Sequence, residues 1–214
     1  MQDKVAPNSL LFLVPVAGIL LFMGLYILAA LLYPGGSYAD HHAIGFSWQH
    51  NYWCNLMADQ AINGKNNTAR PVAISAMIVL CIALIIFWNQ VPRLFNKKPV
   101  NNFIRYCGMG SMLSPPFLSA DAHDLVINLG AGLGCLAILA LLTRFYAYRM
   151  NSLLVQGIIC LLLCVINNYV YYSDKLIHLL PVVQKVTFLI FLLWFMQVSL
   201  KLYRKESTLV RQIV

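Results

Sequence analysis

Charged residues are so unevenly spaced in this chain that most of it lies in long stretches without any charge. Four such stretches are bounded by Lys4 and Asp40, Arg70 and Arg93, Asp124 and Arg144, and Arg149 and Asp174. Each is long enough to hold the roughly 20 apolar residues that cross the hydrocarbon core of a bilayer as a helix. Because 60% of residues are hydrophobic and 10% are charged, the chain lacks the charge that a soluble surface needs. The sequence therefore predicts an integral membrane protein.

The apolar stretches predict an all-α fold, a polytopic transmembrane helical bundle of about six spans in a single domain, 1–214. The expected spans are about 9–32, 71–91, 102–119, 123–143, 153–172 and 178–200. The first is too long for a signal-peptide core and should remain as a span. The third carries Arg105 near its start and Pro115-Pro116 near its end, so we expect it to kink or to thin toward one membrane face.

The orientation follows from the lysines and arginines, because cytoplasmic segments retain positive charge. An inside amino terminus places eleven of the fifteen basic residues in the cytoplasm and leaves four outside, which are Lys65, Arg70, Lys175 and Lys185. We therefore expect a bacterial inner membrane protein with both termini in the cytoplasm. Nucleic acid is not an expected partner, since the basic residues flank apolar runs and form no patch interleaved with aromatics.

The longest connection, residues 34–70, then lies outside. It contains FSWQHNYWCNLMADQ, which is rich in tryptophan and tyrosine. Aromatic residues of this kind favour the level of the lipid headgroups. The segment predicts an interfacial helix in the first external loop.

Ionisable residues also gather at the outer ends of the later spans, where such groups are costly and usually paired. His123 and Asp124 open the fourth span, and Asn128 lies one helical turn below Asp124. Asp174 and His178 are four residues apart, and Lys185 lies two turns deeper on the same helical stripe. Further polar residues at this depth are Asn167, Asn168, Tyr169, Tyr171 and Tyr172. The sequence predicts a polar pocket that opens outward between spans three to six.

Three uses of this pocket remain open. His123, His178 and one or more of Asp59, Asp124 and Asp174 have the ligand types that suit zinc, and a zinc with an open position would activate water. The same residues also suit structural ion pairs or the binding of a polar ligand or ion. In an enzyme, His123 or His178 would be the general base or metal ligand, with Asp124 and Asp59 as its partners and the tyrosines as hydrogen-bond donors.

Lys185 is the most constrained of these residues, because an unpaired ammonium inside a span costs on the order of 2.5 to 3.5 kcal/mol even by the lenient insertion scale. We therefore expect it to pair with a carboxylate. Asp124 is the first choice, and Asp59 and Asp174 are the others.

Two segments carry a resemblance to a known family. FSWQHNYWCNLMAD precedes the second span, and an Asp-x-His-Asp sequence opens the fourth after the proline-containing end of the third. Together they resemble a bacterial membrane domain of unknown function related to the DRAM, FRAG and Sfk proteins. The resemblance implies a six-span fold, and eukaryotic relatives are linked to lipid remodelling and autophagy. The chain has Cys54-Asn55-Leu56 where that family commonly has Ser-Asp-Leu.

These observations predict a multi-pass protein whose outward pocket binds or processes a lipid headgroup or another small polar ligand, with a metal-dependent membrane hydrolase as its catalytic form. Asp59, Asn128, Asn168, Tyr172 and Lys185 are the expected ligand-binding residues. The expected partners are membrane lipids, together with a membrane-protein partner or a second copy of the chain. The alternative is a non-catalytic transporter, sensor or subunit of a larger membrane complex.

Overall fold

A computed structural model describes residues 9–113 and 123–211, and these residues form an all-helical bundle with no strand in it. The bundle contains six α-helices, α1 (Val14–Leu32), α2 (Arg70–Gln90), α3 (Pro99–Ser111), α4 (His123–Ala147), α5 (Asn151–Tyr171) and α6 (Leu180–Arg211). Short 3-10 helices lie at Ser9–Leu13, Trp53–Met57, Val91–Leu94 and Ile177–Leu179. The all-α fold predicted from the sequence is confirmed.

Five helical segments are long and apolar enough to cross a membrane, and they are Leu10–Leu32, Arg70–Leu94, Asn128–Ala147, Asn151–Tyr171 and Ile177–Thr208. They correspond to five of the six expected spans. The remaining helix, α3, has 13 residues. At 1.5 Å per residue it is about 20 Å long, which is short of a hydrocarbon core. The six-span count stays a prediction, and Pro115-Pro116 lies outside the described residues.

The helices pack in chain order, each against the next, and α6 closes the ring by packing against α1. Large aromatic side chains fill the interior. Phe87 and Trp88 of α2 contact Phe195 of α6 at ring-centroid distances of 4.8 and 5.8 Å. Phe145 of α4 meets Trp194 of α6 edge-on at 6.2 Å. These rings join α2 and α4 to α6, so α6 contacts helices that are not its neighbours in sequence.

Residues 33–69 form an ordered loop at one end of the bundle, which we call the long-loop end. Gly36 adopts a φ of 83°, and a side chain there would collide with the backbone of Ile62 and Asn63. Asn67 is buried, and its amide donates to the carbonyls of Asn55 and Ala58 at 3.0 and 2.9 Å. The loop is therefore folded by its own backbone and amide hydrogen bonds.

The segment that was expected to be an interfacial helix forms turns and the single 3-10 helix Trp53–Met57. Asn55 holds the start of that helix, because its side-chain oxygen accepts a hydrogen bond from Tyr52 N at 2.7 Å. A continuous amphipathic α-helix is absent from residues 46–60. The position of this segment relative to a membrane surface stays a prediction.

Cations hold the other end of the bundle, which we call the basic end. The ammonium of Lys205 donates to the carbonyls of Arg93 and Leu94 at 2.9 and 3.1 Å. The buried guanidinium of Arg144 donates to Asn96 O at 3.2 Å and lies over the rings of Phe95 and Tyr148. These contacts tie α6 to the 3-10 helix Val91–Leu94, which follows α2, and α4 to the loop after it.

The contact between α2 and α3 depends on glycine. A Cβ atom on Gly108 would lie 2.1 Å from Cδ2 of Trp88, which is buried and held by the aromatic interior. We expect Gly108→Ala to lower the free energy of unfolding by about 1 to 3 kcal/mol, because an overpacked core must shift its rings or backbone. The measurement is the melting temperature of the purified protein in detergent.

Gly24→Ala is the matched control, since a Cβ atom at Gly24 has open space around it within 4 Å. It should leave the melting temperature unchanged or raise it, because alanine favours helix by up to about 1 kcal/mol. Equal effects of the two substitutions would contradict the close packing of α2 on α3.

Candidate functional site

Lys185 lies near the start of α6, where its ammonium meets the long loop. The ammonium donates a hydrogen bond to the backbone carbonyl of Asn51 and another, of 2.8 Å, to Pro181 O. It also lies 5.6 Å from the centroid of the Phe46 ring, within cation–π range. Lys185 thus connects α6 to the long loop through two carbonyls and an aromatic face.

A carboxylate partner for Lys185 was expected, and the described side chains show a different arrangement. Asp59 pairs with Arg70, and this is the one ion pair within the described residues. Asp174 forms no ion pair there and is exposed. The two second choices for Lys185 are therefore wrong. The side chain of Asp124 lies outside the described part of the chain, so that pairing stays a prediction.

The carbonyl that receives Lys185 is held in place by its own residue. Asn51 is fully buried, and its amide nitrogen donates to Gly36 O at 2.9 Å. Its side-chain oxygen accepts from Ser47 N, also at 2.9 Å. Because both ends of the amide are satisfied, the loop backbone at Asn51 is held by contacts that do not involve Lys185. The acceptor of the Lys185 hydrogen bond is therefore part of an ordered segment of the loop.

Trp53 anchors the next turn of the loop on the bundle. Its ring stacks on Tyr26 of α1 at 4.6 Å and packs against Phe188 of α6 at 5.5 Å. Phe188 lies three residues after Lys185, on the same side of the helix. The indole Nε1 of Trp53 and the hydroxyl of Tyr26 are buried without a hydrogen-bond partner in the described protein. Buried polar atoms of this kind are uncommon in protein interiors.

Cys54 adds a thiol to the same region. Although part of the side chain is open to solvent, the surrounding protein desolvates the thiolate and raises the pKa of Cys54, while the charge of Lys185 acts in the opposite direction. The net pKa lies above the ordinary value, so the thiol is protonated at neutral pH. Cys54 therefore supplies no negative charge to balance Lys185.

The other predicted site residues belong to helix ends at the same end of the bundle, and most of those whose side chains are described are exposed. Asn168, Tyr172 and His178 are exposed, and so is Asn128 on α4. Asn167 instead turns inward, where its amide contacts the hydroxyl of Thr187 and donates to Leu163 O. His123 and Asp124 begin α4, but their side chains lie outside the described residues. The predicted convergence of His123, Asp124 and His178 therefore stays a prediction.

The described residues contain no group of three or more His, Cys, Asp or Glu side chains that could hold a metal ion. The expected zinc site includes His123 and Asp124, which that statement does not cover. Zinc bound by His123, His178 and Asp124 accordingly stays a prediction from the sequence.

Sequence reasoning placed Lys185 at the site but missed its surroundings, which are Phe46, Asn51, Trp53 and Tyr26. The site lies between α1, α6 and the long loop, whereas the expected pocket lay between spans three to six. The sequence feature that could have indicated these surroundings is the high content of aromatic and amide residues in FSWQHNYWC. It had been attributed to the membrane surface, while the structure uses Trp53 and Asn51 for packing inside the protein.

Comparisons with protein-family models, with curated proteins and with solved structures found no match to this chain.

Proposed function

We propose that this membrane protein binds an anionic lipid headgroup at its long-loop end, with Lys185 as the charged anchor. The observation that carries the proposal is the setting of the Lys185 ammonium, which contacts two backbone carbonyls and an aromatic ring and no carboxylate among the described residues. The proposal replaces the pairing of Lys185 with Asp124 that the sequence predicts, because a paired carboxylate would neutralise the ammonium and leave no charge for a ligand.

The hydrogen bonds of the ammonium leave capacity for a ligand. Lysine has three N–H donors, and Asn51 O and Pro181 O receive two of them. Carbonyl dipoles solvate a cation but do not cancel its charge, so the site favours an anion. A phosphate diester offers a charged oxygen that can accept the third N–H of the ammonium in a charge-assisted hydrogen bond.

Exposed aromatic residues around the site support a lipid as the source of the anion. Tyr169, Tyr171 and Tyr172 at the end of α5 are 67, 58 and 77% exposed. Tyrosine is enriched where membrane helices meet the headgroups, since its ring is apolar and its hydroxyl is polar. The end of α5 is thereby suited to the level at which Lys185 would meet a phosphate.

Processing of the bound lipid is a further step of the proposal. His123 or His178 would act as general base, Asp124 as its partner, and zinc as the group that activates water. Asp59 would take part in ligand binding by orienting Arg70, with which it forms an ion pair. Asn128, Asn168 and Tyr172 would contact the polar part of the ligand from their exposed positions.

For its location we propose a bacterial inner membrane, with the long-loop end outside and both termini in the cytoplasm. The excess of lysine and arginine at the basic end supports this orientation. A cysteine in place of exposed Lys65 should react with an impermeant reagent in intact cells, and one in place of exposed Lys97 should not. The reverse labelling pattern, relative to the unmodified parent, would contradict it.

A non-catalytic transporter, sensor or subunit of a larger membrane complex is the second candidate. The many exposed apolar side chains on the helices, such as Leu31, Val165 and Leu129, suit lipid or a membrane-protein partner equally well. Kinship with the DRAM, FRAG and Sfk group is likewise a proposal that rests on the sequence resemblance.

The test of the proposed function uses Trp53 as a reporter and dihexanoyl phosphatidylglycerol as the probe. In detergent, the lipid should change the emission of the wild-type protein, and Trp53→Phe should remove most of that change because the ring lies beside the site. Lys185→Met should weaken binding by about 10- to 100-fold, the equivalent of losing a charged hydrogen bond. Lys185→Arg should retain most of the affinity.

Lys175→Met is the matched control, because Lys175 is exposed at the same end and its replacement removes the same charge. It should bind the probe as the wild type does. Equal affinities of Lys185→Met and Lys175→Met, or no change in Trp53 emission with the lipid, would overturn the proposed function.

A further inference from the structure

An open cleft of about 600 Å³ lies at the basic end, between the turn that joins α4 to α5 and the last third of α6. Six of the residues that line it are Arg149, Asn151, Ser152, Leu153, Lys201 and Arg204. The volume is within the range of small-molecule sites. The cleft is at the opposite end of the bundle from Lys185.

The charged residues that line this cleft are all cations. Arg149, Lys201 and Arg204 form no ion pair with any carboxylate in the described residues. Lys201 and Arg204 are three residues apart on α6, so they lie on one face and repel each other. Glu206, two residues farther on, is also without an ion pair to them in that part of the chain. An anion held between the three would relieve this repulsion.

The walls of the cleft are fixed by packing. Trp194 of α6 donates its indole N–H to Leu153 O at 2.9 Å, which ties the first turn of α5 to α6. At Gly157 the two helices approach so closely that a Cβ atom would lie 2.8 Å from Cζ2 of Trp194. The backbones of α5 and α6 on the two sides of the cleft are therefore held at a fixed separation. Fixed walls lower the entropic cost of ordering the cleft when an anion binds.

We propose that this cleft binds the phosphate group of an anionic phospholipid in the leaflet at the basic end. The argument is the three unpaired cations, and the first turn of α5 supports them with backbone N–H groups that lack helical partners. Both α4 and α5 are candidate spans whose ends meet at this turn, so the cleft opens at headgroup level. Basic pockets between helices at this level bind phospholipid headgroups. The site is independent of the one at Lys185.

The experiment is native mass spectrometry of the full-length protein, carried out in the Lys185→Met background so that the first site does not contribute. The protein is titrated with phosphatidylglycerol, with phosphatidylcholine and with inorganic phosphate. K201Q/R204Q should lower the affinity for phosphatidylglycerol roughly 25-fold, at about fivefold for each basic residue. Arg149→Gly should lower it about fivefold, and its fold should be intact because glycine adopts the φ of 52° without strain.

K97Q/K98Q is the matched control, since it removes two exposed lysines at the same end but outside the cleft. It should retain phosphatidylglycerol as the parent does, and phosphatidylcholine should bind more weakly than phosphatidylglycerol to both. Equal losses in K97Q/K98Q and K201Q/R204Q, or equal binding of the two lipids, would overturn the site. If inorganic phosphate binds and phosphatidylglycerol does not, the cleft takes free phosphate and the assignment to a lipid is wrong.

Discussion

Stabilising the ammonium of Lys185, near the start of α6, involves most of the interactions at the long-loop end. Lys185 reaches carbonyls on two elements, Asn51 O in the loop and Pro181 O on its own helix. The loop can present Asn51 O because the Asn51 amide is itself satisfied at both ends. Charge and backbone thus stabilise each other, since the loop solvates the cation and the cation fastens the loop to the bundle.

The two ends of the bundle use positive charge differently. At the basic end, Lys205 and Arg144 donate to carbonyls at the end of α2 and beyond it, so their role in packing is clear. Arg149, Lys201 and Arg204 have no such contacts in the described structure and line an open cleft. Lys185 combines both situations, because it holds the loop while its charge is unbalanced by any described carboxylate. The unbalanced cations at both ends are the observations on which the two proposed headgroup sites rest.

The helices could be predicted from charge spacing because an apolar span has little choice of structure in a bilayer. The span expected at 71–91, for example, corresponds to α2 at Arg70–Gln90. The end of α3 at Ser111 was not predicted, since apolar content continues beyond it. The partners of Lys185 were missed for a physical reason. A lysine within a span is expected from its sequence to pair with a carboxylate, because carboxylates can be identified in the sequence. A backbone carbonyl such as Asn51 O becomes a possible partner only when the fold of the loop is known.

The most direct test of the account is a double-mutant cycle between Lys185 and Asp124, read as thermal stability in detergent. The variants are Lys185→Met, Asp124→Asn and the two combined. If the ammonium is stabilised by carbonyls and its charge is left for a ligand, the effects on the free energy of unfolding add within about 0.5 kcal/mol. A coupling well beyond that value would show that Asp124 neutralises Lys185, and the proposed headgroup site would lose its anchor.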